Sequence, residues 1–131
     1  MEKILVVEDL KKYYGEIKAV DGISFYLETG KLFAFLGPNG SGKSTTIDTI
    51  CTYLKPDGGN VIIDGHELGK DDDAIRKTIG VVFQDGLLDR MLTVEENIRT
   101  RASLYDLKGK ELDEAVKRAS RLAGTDELLK R

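Results

Sequence analysis

At 131 residues, with 40% hydrophobic and 33% charged positions, the chain has the composition of one soluble globular domain that buries roughly two-thirds of its unfolded surface. A net charge of −3, with the Lys and Arg residues scattered, argues against a nucleic-acid-binding surface. The single cysteine, Cys51, excludes an internal disulfide framework, and no apolar run approaches the ~18 residues of a membrane span.

Met1-Glu2-Lys3-Ile4 has no signal-peptide pattern, so a cytosolic chain that does not itself cross a membrane is expected. Two strands are predicted first, over Lys3 to Leu10 and Lys18 to Leu27, where β-branched and aromatic residues stand between the turns Tyr14-Gly15-Glu16 and Glu28-Thr29-Gly30. Lys31 to Leu36 is a short apolar run of the buried-strand type. A helix is predicted over Ser44 to Leu54, with Cys51 as a packed thiol. Lys55-Pro56-Asp57-Gly58-Gly59 breaks it, Asn60 to Ile63 read as a strand, and Asp64-Gly65 is a hairpin-type turn. His66 then follows as a solvated turn residue, and Lys70 to Asp73 as a solvated connector or helix start. Ile79 to Phe83 repeat the buried-strand pattern.

Beyond residue 90 the pattern turns helical. Thr93-Val94-Glu95-Glu96 fits a capping box, followed by Ile98, Ala102 and Tyr105 at helical spacing. A second helix is predicted over Glu111 to Leu122, with Leu112, Ala115, Ala119 and Leu122 on one face. An αβ part (1–90) thus precedes a helical part (91–131).

The strongest chemical signal lies between the apolar run at 31–36 and the first helix. Gly37-Pro38-Asn39-Gly40-Ser41-Gly42-Lys43-Ser44-Thr45 is a complete G-x-x-x-x-G-K-[ST] phosphate-binding loop. Glycines let the backbone approach the phosphates closely, and successive N–H groups form an anion nest at a helix N-terminus carrying roughly half a positive charge. Lys43 is placed to reach the β- and γ-phosphates, and the Ser44 hydroxyl to ligate Mg²⁺.

In order along the chain, several features resemble the nucleotide-binding domain of ATP-binding-cassette (ABC) transporters. They are Lys12-Tyr13-Tyr14-Gly15 with Ala19-Val20-Asp21-Gly22-Ile23-Ser24-Phe25, the phosphate loop, Gly59-Asn60-Val61-Ile62-Ile63-Asp64-Gly65, and Ile79-Gly80-Val81-Val82-Phe83-Gln84-Asp85. The stretch from Leu88 to Ile98 resembles the entry to that family's helical subdomain, in wording typical of the drug-, antibiotic- or polysaccharide-exporting branch. The resemblance implies an α/β P-loop NTPase fold with an N-terminal antiparallel β-subdomain and the start of an α-helical subdomain, incomplete at the C-terminus. It implies Tyr14 as the aromatic that stacks on adenine, with Tyr13 as its neighbouring rival, and Val20 as the apolar side of that site. Asn39, Gly40, Ser41, Gly42, Lys43, Ser44 and Thr45 would hold the phosphates of ATP, with Lys43 also serving catalysis. Gln84 would approach Mg²⁺ and the attacking water, sharing the metal with Ser44. Leu87 and Leu88 would either contact a helix of a membrane subunit or belong to the core of the helical part.

The implied function is ATP binding and, in a head-to-tail dimer of full-length subunits docked on a permease at the cytoplasmic face, hydrolysis that drives solute export. The sequence departs from the family after Gln84: it contains no L-S-G-G-Q-type signature, no apolar strand ending in Asp-Glu and no switch histidine, since His66 stands too early. Activating water for attack on the γ-phosphate needs such groups. The sequence therefore leads one to expect a truncated chain with an open apolar sheet edge and a compensating intermolecular contact. A non-catalytic nucleotide-binding fragment or a soluble ABC-type protein is the alternative. A GTPase or small kinase sharing only the loop is disfavoured by the lack of an N-K-x-D motif.

Overall fold

A computed structural model describes residues 2–38, 40–83 and 85–131. They fall into two compact units, Met1–Val81 and Val82–Arg131. In the first, β1 (Lys3–Tyr14) and β2 (Ile17–Glu28) form a hairpin, followed by α1 (Lys43–Ile50), β3 (Gly58–Ile63), β4 (His66–Glu67) and α2 (Asp72–Thr78). The strands make one antiparallel sheet of order β2-β1-β3-β4. Its core is Leu5, Val7, Leu10, Val20, Val61, Ile63 and Ile75.

The inward positions on β1 do not keep one phase. Leu5 and Val7 point into the core, and so does Leu10, three residues on. Asp9, at φ 51, is a bulge: the ladder slips between Val7 and Leu10 against β2, and between Glu8 and Lys11 against β3. Its N–H donates to Ser24 Oγ (2.9 Å), and its carboxylate pairs with Lys11 Nζ (3.0 Å). From Leu10 onward the even-numbered residues, Lys12 and Tyr14, share the face of Leu10. That change of phase decides which tyrosine can serve the site below.

Several expectations fail here. Neither the run at 31–36 nor that at 79–83 is a strand, and Leu32, Leu36 and Val82 are almost fully exposed. An apolar run becomes a strand only when its N–H and C=O groups find a ladder partner. β1 is already paired on both sides by β2 and β3, and among the described residues no segment pairs with either run. Phe33 and Phe35 instead pack around Phe25 of β2, with ring centroids 5.4 and 5.3 Å away. The predicted first helix is also shorter: α1 stops at Ile50, and Thr52 turns the chain at φ 69. Cys51 is half-buried at its C-cap, where burial, then Asp48, pushes the thiol pKa up. His66 is half-buried in β4, paired with Ile63, rather than a solvated turn residue.

In the second unit, α3 (Val94–Ser103) packs on α4 (Gly109–Ala123), and a short 3₁₀ turn (Asp126–Leu128) follows. The capping box is present: Thr93 Oγ1 accepts from the Glu96 N–H (3.1 Å), and Glu96 Oε2 accepts from the Thr93 N–H (2.7 Å). The carbonyls of Arg131 and Leu129 accept from the Val94 and Glu95 N–H groups, satisfying two more first-turn donors. Arg99 Nη1 donates to Asp113 (2.6 Å) and ties the two helices together. The inward face of α4 differs from the predicted one, because Val116 and Ser120 are buried while Ala119 and Leu122 are exposed. Ser120 tolerates burial because its hydroxyl bonds Thr125 Oγ1 (3.0 Å), just beyond the left-handed Gly124 cap. Tyr105 lies beyond the end of α3 and is exposed.

Candidate functional site

The phosphate-binding loop leads directly into α1. Gly42 is the helix N-cap at φ 90, a region that L side chains rarely adopt. A Cβ at this position would lie 2.5 Å from the Ala19 carbonyl oxygen and 3.3 Å from Val20 Cγ2. The start of α1 therefore rests directly on β2. Within the loop the Ser41 N–H donates to the Pro38 carbonyl (3.2 Å), and Lys43 Nζ donates back to the Gly37 carbonyl. Gly40, Gly42, Lys43, Ser44 and Thr45 line a cleft of about 240 Å³. No acidic side chain stands in the first turn of α1, so the chain leaves the positive end of the helix dipole without a counter-charge there. The inward threonines of α1 satisfy themselves: Thr46 Oγ1 donates to the Gly42 carbonyl (2.8 Å) and Thr49 Oγ1 to that of Thr45 (2.7 Å). An ammonium, a glycine-lined backbone and a helix N-terminus facing one cleft suit a polyphosphate.

The hairpin tip separates the two tyrosines. The pairs Lys12↔Val20 and Tyr14↔Ile17 share one face, and Lys11↔Asp21 and Tyr13↔Lys18 share the other, with Ala19 as the extra residue between. Tyr14 is 48% exposed and lies on the face of buried Val20, the residue that touches Gly42. Tyr13 is occupied elsewhere. Its hydroxyl donates to Asp21 Oδ1 (2.6 Å), and Lys18 Nζ lies 5.8 Å from its ring centroid. That hydrogen bond, then desolvation and the charges of Asp21, Asp9 and Asp57, push the Tyr13 pKa up to about 12.

Of the residues expected at the site, Tyr14, Val20 and residues 40–45 thus lie within the first unit, with Val20 joining the tyrosine face to the loop. Asn39 and Gln84 lie outside the described residues. Leu87 and Leu88 are exposed and so are not core of the helical unit. The loop carrying them is held by Asn97, a buried side chain whose Oδ1 accepts from the Asp89 N–H (2.8 Å). Asn97 Nδ2 donates to the carbonyls of Asp89 (2.9 Å), Thr93 (3.0 Å) and Leu92 (3.3 Å).

Sequence reasoning overlooked Ala19, whose carbonyl sets the approach of Gly42, because a contact across 23 positions leaves no local signal. It also overlooked Lys12, although the alternation of β1 places it beside Tyr14.

Residues 20–131 match the ABC transporter family. The chain belongs to that family. It is 41% identical over 117 residues to the linearmycin resistance ATP-binding protein LnrL of Bacillus subtilis, covering 89% of this chain and 37% of that protein. Among solved ABC structures, CbiO1 of Clostridium perfringens, part of an ABC transporter complex, superposes with a TM-score of 0.85 at 30% identity, covering 100% of this chain and 54% of that one. A dimeric ATP-binding cassette bound to ADP and phosphate superposes with a TM-score of 0.79 at 28% identity, covering 97% of this chain and 60% of that one. The chain thus spans little more than a third of that curated relative and about half of the solved cassettes. Its fold is the N-terminal part of an ABC nucleotide-binding domain: the antiparallel β-subdomain, the phosphate loop with its helix, and the first helices of the helical subdomain.

Proposed function

We propose that the chain is the ATP-binding portion of an ABC exporter subunit and that it binds Mg·ATP at the cleft of residues 40–45. The observation that carries this reading is the contact of Gly42 with Ala19 and Val20, which sets the phosphate cleft against the hairpin face that bears Tyr14. In this reading the triphosphate lies along the amides of Asn39 to Thr45. Lys43 leaves its internal bond to the Gly37 carbonyl for the β- and γ-oxygens, a charge-assisted bond worth about 1.5–3 kcal/mol. The adenine stacks on Tyr14 beside Val20. Among the described residues no group of three or more His, Cys, Asp or Glu side chains is placed to hold a metal. The Ser44 hydroxyl, phosphate oxygens and water would form the shell, in keeping with the usual mode of Mg²⁺ binding through few protein ligands. When bound, the ion neutralises phosphate charge.

Hydrolysis belongs to the full-length subunit in a dimer, which would dock on a permease at the cytoplasmic face of the membrane and drive export. Exposed Leu87 and Leu88, on a loop braced by Asn97, support a role in that docking. The relative named for linearmycin resistance supports the export direction. Calorimetric titration with Mg·ATP tests the site: wild type should bind and Lys43→Ala should not. Equal binding by both would remove the phosphate loop from the reading.

A further inference from the structure

We infer that Lys12 is a positioning residue for the nucleobase: it fixes the Tyr14 ring and ties it to the connector between α1 and β3. The inference rests on the nucleotide reading above and adds a residue to it. Lysine side chains are seldom buried without partners, yet that of Lys12 is only 15% exposed. Its Nζ donates to the Lys55 carbonyl (2.8 Å), stands 3.9 Å from Asp57 Oδ2, and lies 5.3 Å from the centroid of the Tyr14 ring. Asp57 is itself held, since its N–H donates to the Lys11 carbonyl (2.8 Å) and its Oδ2 accepts from the Tyr13 N–H (2.6 Å). The segment 55–57, which leads from α1 into β3, is therefore anchored on β1.

A cation this close to an aromatic centroid attracts the ring through its quadrupole. Tyr14 sits at the tip of a hairpin and is half-exposed, so without a brace its side chain would have to be ordered when a base binds. Ordering a side chain in advance lowers that cost of binding. Lys12 supplies this order from a fixed point, because its ammonium is held by a backbone carbonyl and a carboxylate. Lys18 stands in a similar relation to Tyr13 on the opposite face, and it serves as an internal control.

The discriminating experiment compares two ligands on the 131-residue chain by calorimetry with Mg²⁺ present: ATP and inorganic tripolyphosphate, which lacks the base. Lys12→Met should weaken ATP about five- to tenfold and leave tripolyphosphate unchanged. Lys12→Arg should restore most of the loss, Lys18→Met should have no effect, and in a Tyr14→Ala background Lys12→Met should add nothing. Equal losses for ATP and tripolyphosphate would overturn the inference in favour of a merely structural staple. So would unchanged ATP affinity, or a loss that persists without Tyr14. A wild-type chain that binds both ligands equally tightly would also overturn it while leaving the phosphate site standing. A wild-type chain that binds neither would remove the nucleotide reading and this inference with it.

Discussion

Gly42→Ala tests the joint between fold and site. Gly42 adopts φ 90, and a left-handed backbone costs an L residue about 1–2 kcal/mol. A new methyl would also lie 2.5 Å from the Ala19 carbonyl oxygen, closer than real Cβ contacts come. That oxygen belongs to the backbone of β2 between the paired residues Lys18 and Val20, so it does not swing aside as the end of a flexible side chain would. Relieving the overlap by shifting the loop adds about 1–2 kcal/mol, for a total near 3 kcal/mol. In a unit of this size that loss should lower the melting temperature by roughly 10–20 °C. Gly40→Ala is the matched control: its φ is +85, yet nothing lies within 4 Å of its would-be Cβ. It should show the backbone cost alone, roughly 5–10 °C. Thermal melts followed by circular dichroism without nucleotide compare the two. If both variants melted together, or Gly42→Ala melted with wild type, the contact between loop and hairpin would be refuted.

Tyr14→Ala should weaken ATP by about 1–3 kcal/mol, or about five- to 140-fold, whereas Tyr13→Ala should change it less than about twofold, as read by calorimetry. Asn97→Leu leaves the Asp89 N–H and the carbonyls of Asp89, Leu92 and Thr93 without their side-chain partner. It should cost about 2–4 kcal/mol and abolish hydrogen-exchange protection of the Asp89 amide, and an unchanged amide would show that Asn97 does not hold that loop. The Tyr13 pKa is raised to about 12 by its bond to Asp21, so the folded state favours the protonated phenol. This stabilisation is fully present below the unfolded value near 10 and is lost as pH rises through about 12; melting profiles over that window should differ between wild type and Tyr13→Phe and converge above it. The raised, half-buried Cys51 thiol should react slowly with a thiol reagent in the native chain and fast in denaturant, and equal rates would show it to be accessible.

Much of the molecule was legible because its signals are local. The loop at Gly37 to Thr45, the Thr93–Glu96 capping box and the Asp64-Gly65 turn each depend on residues a few positions apart, and fixed spacing is enough to identify them. The hairpin is similar: β-branched and aromatic residues on either side of Gly15 allow little else. The helical stripe of α4 was legible only in part, since periodicity proposed Ala119 and Leu122 as inward whereas Val116 and Ser120 are the buried residues.

What local pattern did not reach was decided by contacts between distant segments. Apolar runs at 31–36 and 79–83 read as strands, but a strand is a relation between two segments, and among the described residues neither run has a partner. Tyr13 and Tyr14 are adjacent and chemically identical, so composition does not choose between them. The choice is made by the bulge at Asp9, which shifts the phase of β1 by one residue and brings Tyr14 onto the face of Val20. The sequence alone thus determined that a phosphate-binding loop stands between a β-hairpin and a helix. Only the tertiary structure set that loop against Ala19 and Val20 and selected the tyrosine on their side, because side-chain direction in a sheet depends on register, and register is settled between strands.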